Sequence, residues 1–297
     1  MFTATMNSQG ELQRLVKAGG PGADSALSVA SRPDGKAFVT GFFSGTAQFQ
    51  TLTLTSVGRQ DIFVAVIDST GTFESVVRGG GPANDRGLSV ASRTGDNKGV
   101  IAGWFQGEST MQSSSSGHIT LSSSGEFDVF VAILQAEGYF ESVGRGGGAS
   151  SDMGIAVGVR ASDNVAFLVG YTCGAATFEP DAAGSALVSA APAASGGSSD
   201  VFIAVVSASG VFQTVRRSEG AGSKDFATSI SPRSDGKAYV VGQFSSTITF
   251  FKAASATAVL VSAGQSDIFI AVFNDLCFCE YATRAGGGGK RPCYVNR

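Results

Sequence analysis

Asp61-Ile62-Phe63-Val64-Ala65-Val66 is the stretch that decides the fold, because it returns almost unchanged and the residues between its copies fall on one frame. Copies begin at Asp128 (DVFVAI), Asp200 (DVFIAV) and Asp267 (DIFIAV), and a copy lacking the Asp opens the chain as Met1-Phe2-Thr3-Ala4-Thr5-Met6. From 61 to 128, 128 to 200 and 200 to 267 the steps are 67, 72 and 67 residues, a long and near-regular repeat stretched by loop insertion. The apolar run shows no alternation, which predicts a strand covered on both faces. Ala65, Ala132, Ala204 and Ala271 share one place in it, where small side chains let neighbouring layers approach.

Working outward, each unit reads as four strands. Strand A is Ala26–Ala30, Gly87–Ala91, Gly154–Val157 and Ala227–Ile230. A turn follows with Asp34-Gly35 or Asp235-Gly236, or with Asp96-Asn97 or Asp163-Asn164. Asp-Gly predicts a two-residue hairpin with both central residues at positive φ. Strand B ends on Gly41, Gly103, Gly170 or Gly242, and glycine recurring inside a strand predicts a bulge or a close backbone approach that a Cβ would block. A Ser/Thr/Ala-rich crossing leads to strand C, the opening stretch. Strand D follows a four-residue turn that closes on Gly10, Gly71, Gly138 or Gly210 in the left-handed region. Gly79-Gly80-Gly81 and Gly146-Gly147-Gly148 lack a following G-K-[ST] or a helix pattern, so they read as turns between units rather than phosphate loops.

Four antiparallel strands per unit, apolar on both faces, predict an all-β chain: a β-propeller of four-stranded blades with four full repeats and an N-terminal half-blade, an incomplete five-bladed or larger ring. The chain is expected to be one repeat domain over 1–297, with a half-blade at 1–18, repeats at 19–79, 80–146, 147–218 and 219–285, and a tail at 286–297. It thus starts inside a repeat unit. An unfilled blade leaves open sheet edges, so either a longer natural protein or self-association is expected.

The order of motifs resembles the SBBP-type β-propeller repeat: Gly19-Gly20, Asp24, Val39-Thr40-Gly41, the Phe43 to Phe49 segment, Leu54 to Gly58 and Asp61 to Asp68 follow in that family's sequence through four units. Such repeats often carry Lys where this chain has Val66, Ile133, Val205 and Val272, and Trp on the last strand, whereas the only Trp here is Trp104. The resemblance implies the propeller fold and leans toward an extracellular or cell-surface setting. It implies little about function.

Composition agrees with a β-rich globular chain. Gly is 41 of 297 residues, about double the usual share of roughly 7%, and charged residues are only 15% against about 25%. A net charge of −3 without a basic stripe disfavours nucleic acid, and no apolar run approaches the roughly 18 residues needed to span a membrane. Met1–Gly10 has neither the basic nor the apolar region of a signal peptide. Cys173, Cys277, Cys279 and Cys293 are too few for a disulfide framework; a Cys277–Cys293 or Cys279–Cys293 bridge and simple drift of the last unit both remain open.

Two recurring charges are candidate site residues. Lys17, Arg78, Arg145, Arg217 and Arg284 end strand D, and Asp24, Asp85, Asp152 and Asp225 follow the first four by seven or eight residues. They read as local ion pairs or Asp-capped turns fixing the connection between blades, so that Arg78 lies beside Asp85 and Arg145 beside Asp152; the competing reading is an anion-holding ring at one mouth of the channel. Asp61, Asp128, Asp200 and Asp267 read as turn caps, since no D-x-D-x-D-G run offers calcium its several oxygens. His118, the single histidine, reads as solvated in a polar loop and makes no multi-histidine zinc site or hydrolase triad. Glu74, Glu141 and Glu280 share one repeat position and formally offer acids for glycoside hydrolysis, although three alike in three blades look like a solvated edge. With no catalytic, metal or cofactor constellation, the expectation is a non-enzymatic scaffold binding protein or glycan; the alternative is a polysaccharide hydrolase or lyase using acids at the channel mouth.

Overall fold

A computed structural model describes residues 1–179, 199–220 and 224–287. The described residues are all-β, with one short 3-10 turn at Ala253–Ser255, and no helix among them is long and apolar enough to cross a membrane.

The chain opens with the antiparallel pair β1 (Phe2–Met6) and β2 (Leu12–Lys17). Unit 1 holds β3 (Ser25–Ser31), β4 (Ala37–Phe43), β5 (Thr46–Phe49), β6 (Leu52–Thr55), β7 (Asp61–Ile67) and β8 (Phe73–Gly80). Unit 2 holds β9 (Asp85–Ser92), β10 (Gly99–Phe105), β11 (Glu108–Gln112), β12 (His118–Ser122), β13 (Asp128–Leu134) and β14 (Phe140–Gly148). Unit 3 holds β15 (Met153–Val159), β16 (Ala166–Cys173), β17 (Ala176–Phe178), β18 (Ser199–Val206), β19 (Phe212–Arg217) and β20 (Glu219–Gly220). Unit 4 holds β21 (Phe226–Pro232), β22 (Lys237–Phe244), β23 (Thr247–Phe251), β24 (Thr257–Val261), β25 (Asp267–Asn274) and β26 (Cys279–Ala285). In every unit strands A, B, C and D form one antiparallel meander: β3-β4-β7-β8, β9-β10-β13-β14, β15-β16-β18-β19 and β21-β22-β25-β26.

The crossing between B and C is itself structured. β5–β6, β11–β12 and β23–β24 are hairpins, and β11 pairs Thr110 and Met111 with Gly80 and Gly79 at the end of the preceding unit's strand D. β17 does the same to Gly146–Gly148. Gly79-Gly80 and Gly146-Gly147-Gly148 are therefore strand rather than the expected inter-unit turns, and only Gly81 lies beyond β8. Their lack of side chains admits the neighbour: a Cβ on Gly79 would strike the Met111 sulfur, and one on Gly146 the Phe178 ring.

The A–B turns also differ from expectation. Asp34 does not take positive φ; the loop is Pro33-Asp34-Gly35, closed by Arg32 N–H to Lys36 C=O at 2.7 Å, with only Gly35 left-handed at +82°. Pro33, fixed near −65°, suits the first central place of a type I turn, and Gly35 then absorbs the left-handed residue that returns the chain to strand B. The C–D turns hold Gly10, Gly71, Gly138 and Gly210 at +79° to +90°, and in unit 4 Cys277 takes that place at +57°.

Strand C is the two-sided layer between units. Its Phe side chains, Phe63, Phe130, Phe202 and Phe269, pack toward the preceding unit, and the alternate residues face the following one. Ile62, Val64 and Val66 of unit 1 share a core with Phe130, Ala132 and Phe140 of unit 2. Val129, Val131 and Ile133 do so with Phe202, Ala204 and Phe212, and Val201, Ile203 and Val205 with Phe269, Ala271 and Phe273. On the N-terminal side, Val16 and Ala18 join Phe63, Phe43 and Phe49. The A strands follow one another along a single flank, β3 against β9, β9 against β15 and β15 against β21. Ser28 Oγ accepts from Val90 N–H and Ser89 Oγ from Val157 N–H, both at 3.1 Å. Unit 4 departs from the expected two-sided burial: β25 alternates, with Ile268 and Ile270 exposed, because no further described unit lies beyond it.

Candidate functional site

The four B-strand glycines stand in equivalent places. Gly41, Gly103, Gly170 and Gly242 each lie at or beside a bulge in the A–B pairing, where a Cβ would collide with the carbonyl oxygen of Ser25, Arg86, Met153 or Phe226.

The recurring charges meet in an arrangement other than the one expected. Arg78 pairs with Asp61 at 2.9 Å, Arg145 with Asp128 at 3.2 Å, Arg217 with Asp200 at 3.3 Å and Arg284 with Asp267 at 3.1 Å. The expected Arg78–Asp85 and Arg145–Asp152 pairs do not form. The register gives the reason: Arg78 on β8 lies opposite Phe63 on β7, and Asp61, two residues earlier on the same face, is its diagonal neighbour. Asp61, Asp128 and Asp267 also work as caps. The carboxylate accepts the backbone N–H four residues back, from Val57 to Asp61 at 3.0 Å, Ser124 to Asp128 at 2.9 Å and Ala263 to Asp267 at 2.7 Å. The other oxygen, Oδ1, of Asp61, Asp128 and Asp267 is buried without a hydrogen bond. These carboxyls lie against Gly80, Gly147 and Gly286, where a Cβ would collide with them.

Asp24, Asp85, Asp152 and Asp225 tie the D-to-A connection to the chain. Gly20, Gly81 and Gly148 donate their N–H to Asp24, Asp85 and Asp152 at 2.7, 2.9 and 2.8 Å. Gln106 and Ser245, just beyond strand B, and Cys173, its last residue in unit 3, donate to Asp85, Asp225 and Asp152 at 3.3, 3.1 and 2.9 Å. The carboxylates are thus turned onto backbone donors, and Lys17 at the end of β2 is exposed.

Burial decides the protonation of these groups. It pushes Asp85 and Asp152 up to about 7 and Asp200 up to about 6; backbone N–H groups at Asp85 and Asp152, and the Arg217 guanidinium at Asp200, offset this in part. The negative charge of Asp61 adds to the rise at Asp85, and that of Asp128 to the rise at Asp152. A carboxyl whose pKa is higher folded than unfolded holds its proton more tightly in the native state, so its contribution is complete below an unfolded value of about 4 and is lost as pH climbs through about 7. The protein should therefore melt higher at pH 5 than at pH 8, by on the order of 1 kcal/mol or more for each such group. Asp85→Asn or Asp152→Asn should flatten that slope. Thermal melts across this range check it, and stability that rises steadily toward pH 8 would refute the assignment.

A second recurring arginine was not singled out in the sequence. Arg32, Arg93, Arg160 and Arg233 directly follow strand A and pair with Asp34, Asp96, Asp163 and Asp235 in the A–B turn. Arg32 Nη1 also donates to the Ala136 carbonyl in the C–D turn of unit 2, and Arg93 Nη1 to that of Ala208 in unit 3 at 2.6 Å. Unit 1 is thereby latched to unit 2, and unit 2 to unit 3. The signal was a basic residue at the same repeat position in all four units, followed by an Asp.

Glu74, Glu141 and Glu280 lie at the start of strand D and form surface pairs with Lys36, Lys98 and Lys237 at 2.5, 2.5 and 2.6 Å. His118 begins β12 rather than sitting in the loop, and is exposed. Cys277 and Cys279 are buried free thiols pushed up to about 12 and about 11 by burial, and Cys293 lies outside the described residues. Among the described residues no group of three or more His, Cys, Asp or Glu side chains is placed to hold a metal. Comparison with known protein families and with curated proteins finds no match.

Proposed function

We propose that this chain is a β-propeller-type repeat scaffold whose loops bind protein or glycan, without catalysis of its own. The observation that carries the reading is the disposition of the recurring charges. Asp61, Asp128, Asp200 and Asp267 are engaged by their own unit's arginine, and Asp85, Asp152 and Asp225 by backbone donors. The acids with raised pKa recur in successive units, each held by groups of the repeat itself, and Glu74, Glu141 and Glu280 meet lysines at the surface. An acid-dependent polysaccharide hydrolase or lyase needs two carboxyls about 5 to 9.5 Å apart across one bond, with one of them kept protonated in a substrate-sized pocket. Successive A strands along one flank and two-sided C strands between units support the propeller arrangement, as does the resemblance to SBBP-type repeats. In such a scaffold the connecting loops, rather than the repeated core, supply recognition.

A glycan array run beside a polysaccharide hydrolysis and lyase screen tests this. Retention of a glycan class or a protein ligand without turnover is the expected result. Turnover that disappears in Glu74→Gln, Glu141→Gln or Glu280→Gln would establish the enzyme instead.

A further inference from the structure

Two faces left uncovered by the described residues are the two halves of a contact that the units make three times among themselves. On unit 4, Ile268 and Ile270 are 50% and 38% exposed, whereas their counterparts Ile62 and Val64, Val129 and Val131, and Val201 and Ile203 are at most 3% exposed under the next unit. Tyr239 on β22 is 44% exposed, whereas Phe38, Val100 and Phe167 at the same position are fully covered. On the opening pair the reverse holds. Phe2 is 67% exposed, although Phe63, Phe130, Phe202 and Phe269 at its position are buried against the unit before them.

The opening pair repeats the chemistry of the missing contact, pair by pair. In unit 1 the face turned to the preceding element shows Phe63 beside Arg78, Ala65 beside Val76 and Ile67 beside Phe73. In β1–β2 the outward face shows Phe2 beside Lys17, Ala4 beside Leu15 and Met6 beside Leu12. An apolar strip with the same small residue at its centre and a basic residue at its end, Lys17 in place of Arg78, thus stands exposed at one extremity, and the surface that receives such strips stands exposed at the other. Contiguous exposed apolar faces of this kind mark interaction sites.

We infer that the Ile268, Ile270 and Val272 face of unit 4 binds the Phe2, Ala4 and Met6 face of a second copy of this chain, head to tail. The contact places Ala4 against the aliphatic residues of β25, as Ala65, Ala132, Ala204 and Ala271 already allow close approach within the chain. It also presents Arg233, whose side chain is 42% exposed, to the carbonyl of Ser8, the residue in the β1–β2 turn that matches Ala136 and Ala208. Those two carbonyls already receive Arg32 and Arg93. Because the two faces differ, the association is heterologous: it propagates into a ring or an open filament rather than stopping at a symmetric dimer.

Sedimentation velocity on the full chain over a dilution series tests the inference, with two variants on exposed positions. Ile268→Glu blocks the tail face and Leu15→Glu blocks the head face; Ile270→Glu and Met6→Glu serve if either variant melts below the wild type. The wild type should reach at least twice the monomer mass on concentration, and each variant alone should remain monomeric. An equimolar mixture of the two should form a species of twice the monomer mass and nothing larger, since only one productive contact is left. A wild type that stays monomeric at every concentration, a single variant that still associates, or a mixture that stays monomeric overturns the inference.

Discussion

Gly103→Val should lower stability by about 3 kcal/mol or more, the upper end of what overpacking costs in a core and far beyond the roughly 0.5 kcal/mol of an ordinary surface change. β10 lies between β9 and β13 and is hydrogen-bonded to both, so its backbone has no free side toward which to move. A Cβ on Gly103 would collide with the carbonyl oxygen of Arg86 and lie 2.9 Å from the Phe130 ring. Relief requires either opening the bulge at Ala102/Gly103 or shifting Phe130, which is buried in the core between units 1 and 2. Gly287→Ala, where a Cβ meets nothing within 4 Å, is the matched control. A melt of Gly103→Val that coincides with the wild type would show that the bulge yields at little cost and that the recurring glycine has another origin.

The repeat frame was legible because strand C is covered on both sides, so nearly every residue in it is apolar and the copies stand out by eye. The hairpins β5–β6, β11–β12 and β23–β24 were not read, although Thr46-Ala47-Gln48-Phe49 and Leu52-Thr53-Leu54-Thr55 alternate as a strand pair should. Ser and Thr on their exposed face gave the crossing the composition of a loop. The glycine runs were misread for a related reason: glycine ordinarily punctuates, and only the arrival of the next unit's β11 or β17 shows that these glycines admit a neighbouring backbone.

The pairing of the charges shows what sequence proximity hides. From Arg78, Arg145 and Arg217 to the next Asp the spacing is 7, 7 and 8, and Arg284 has no such partner in sequence. Backward, from 78 to 61, 145 to 128, 217 to 200 and 284 to 267, it is 17 in every unit. The constant spacing spans the C–D hairpin, whose length is fixed by its turn, and therefore marks the contact; the shorter and variable one spans a connection between units. The A-strand arginines carry the same kind of signal, yet their role as latches to the next unit's turn required coordinates, since Arg32 and Ala136 are separated by 104 residues.

Replacing Arg78 with Met should cost about 3 kcal/mol at pH 8, the lower end of what removing one partner of a buried ion pair costs, because the Arg78 side chain retains some exposure while Asp61 has none. The carboxylate would be left with backbone N–H groups, those of Val57 and Gly58, and no counter-charge. Burial already raises the Asp61 pKa, with Arg78 opposing the rise, so deleting the guanidinium raises it further. A raised folded-state pKa contributes most below the unfolded value of about 4 and is lost as pH rises, so the variant should lose more stability at pH 8 than at pH 5, since the lower pH favours the protonated, uncharged form of the Asp61 carboxyl. Asp61→Asn combined with Arg78→Met should recover part of the loss at pH 8, since neither a buried charge nor its missing partner remains. Urea unfolding of wild type, single variant and double variant at the two pH values measures this coupling. Equal losses for Arg78→Met at both pH values, with no recovery in the double variant, would mean that Arg78 acts through the packing of its aliphatic stem and that its charge contributes nothing to holding strand C against strand D.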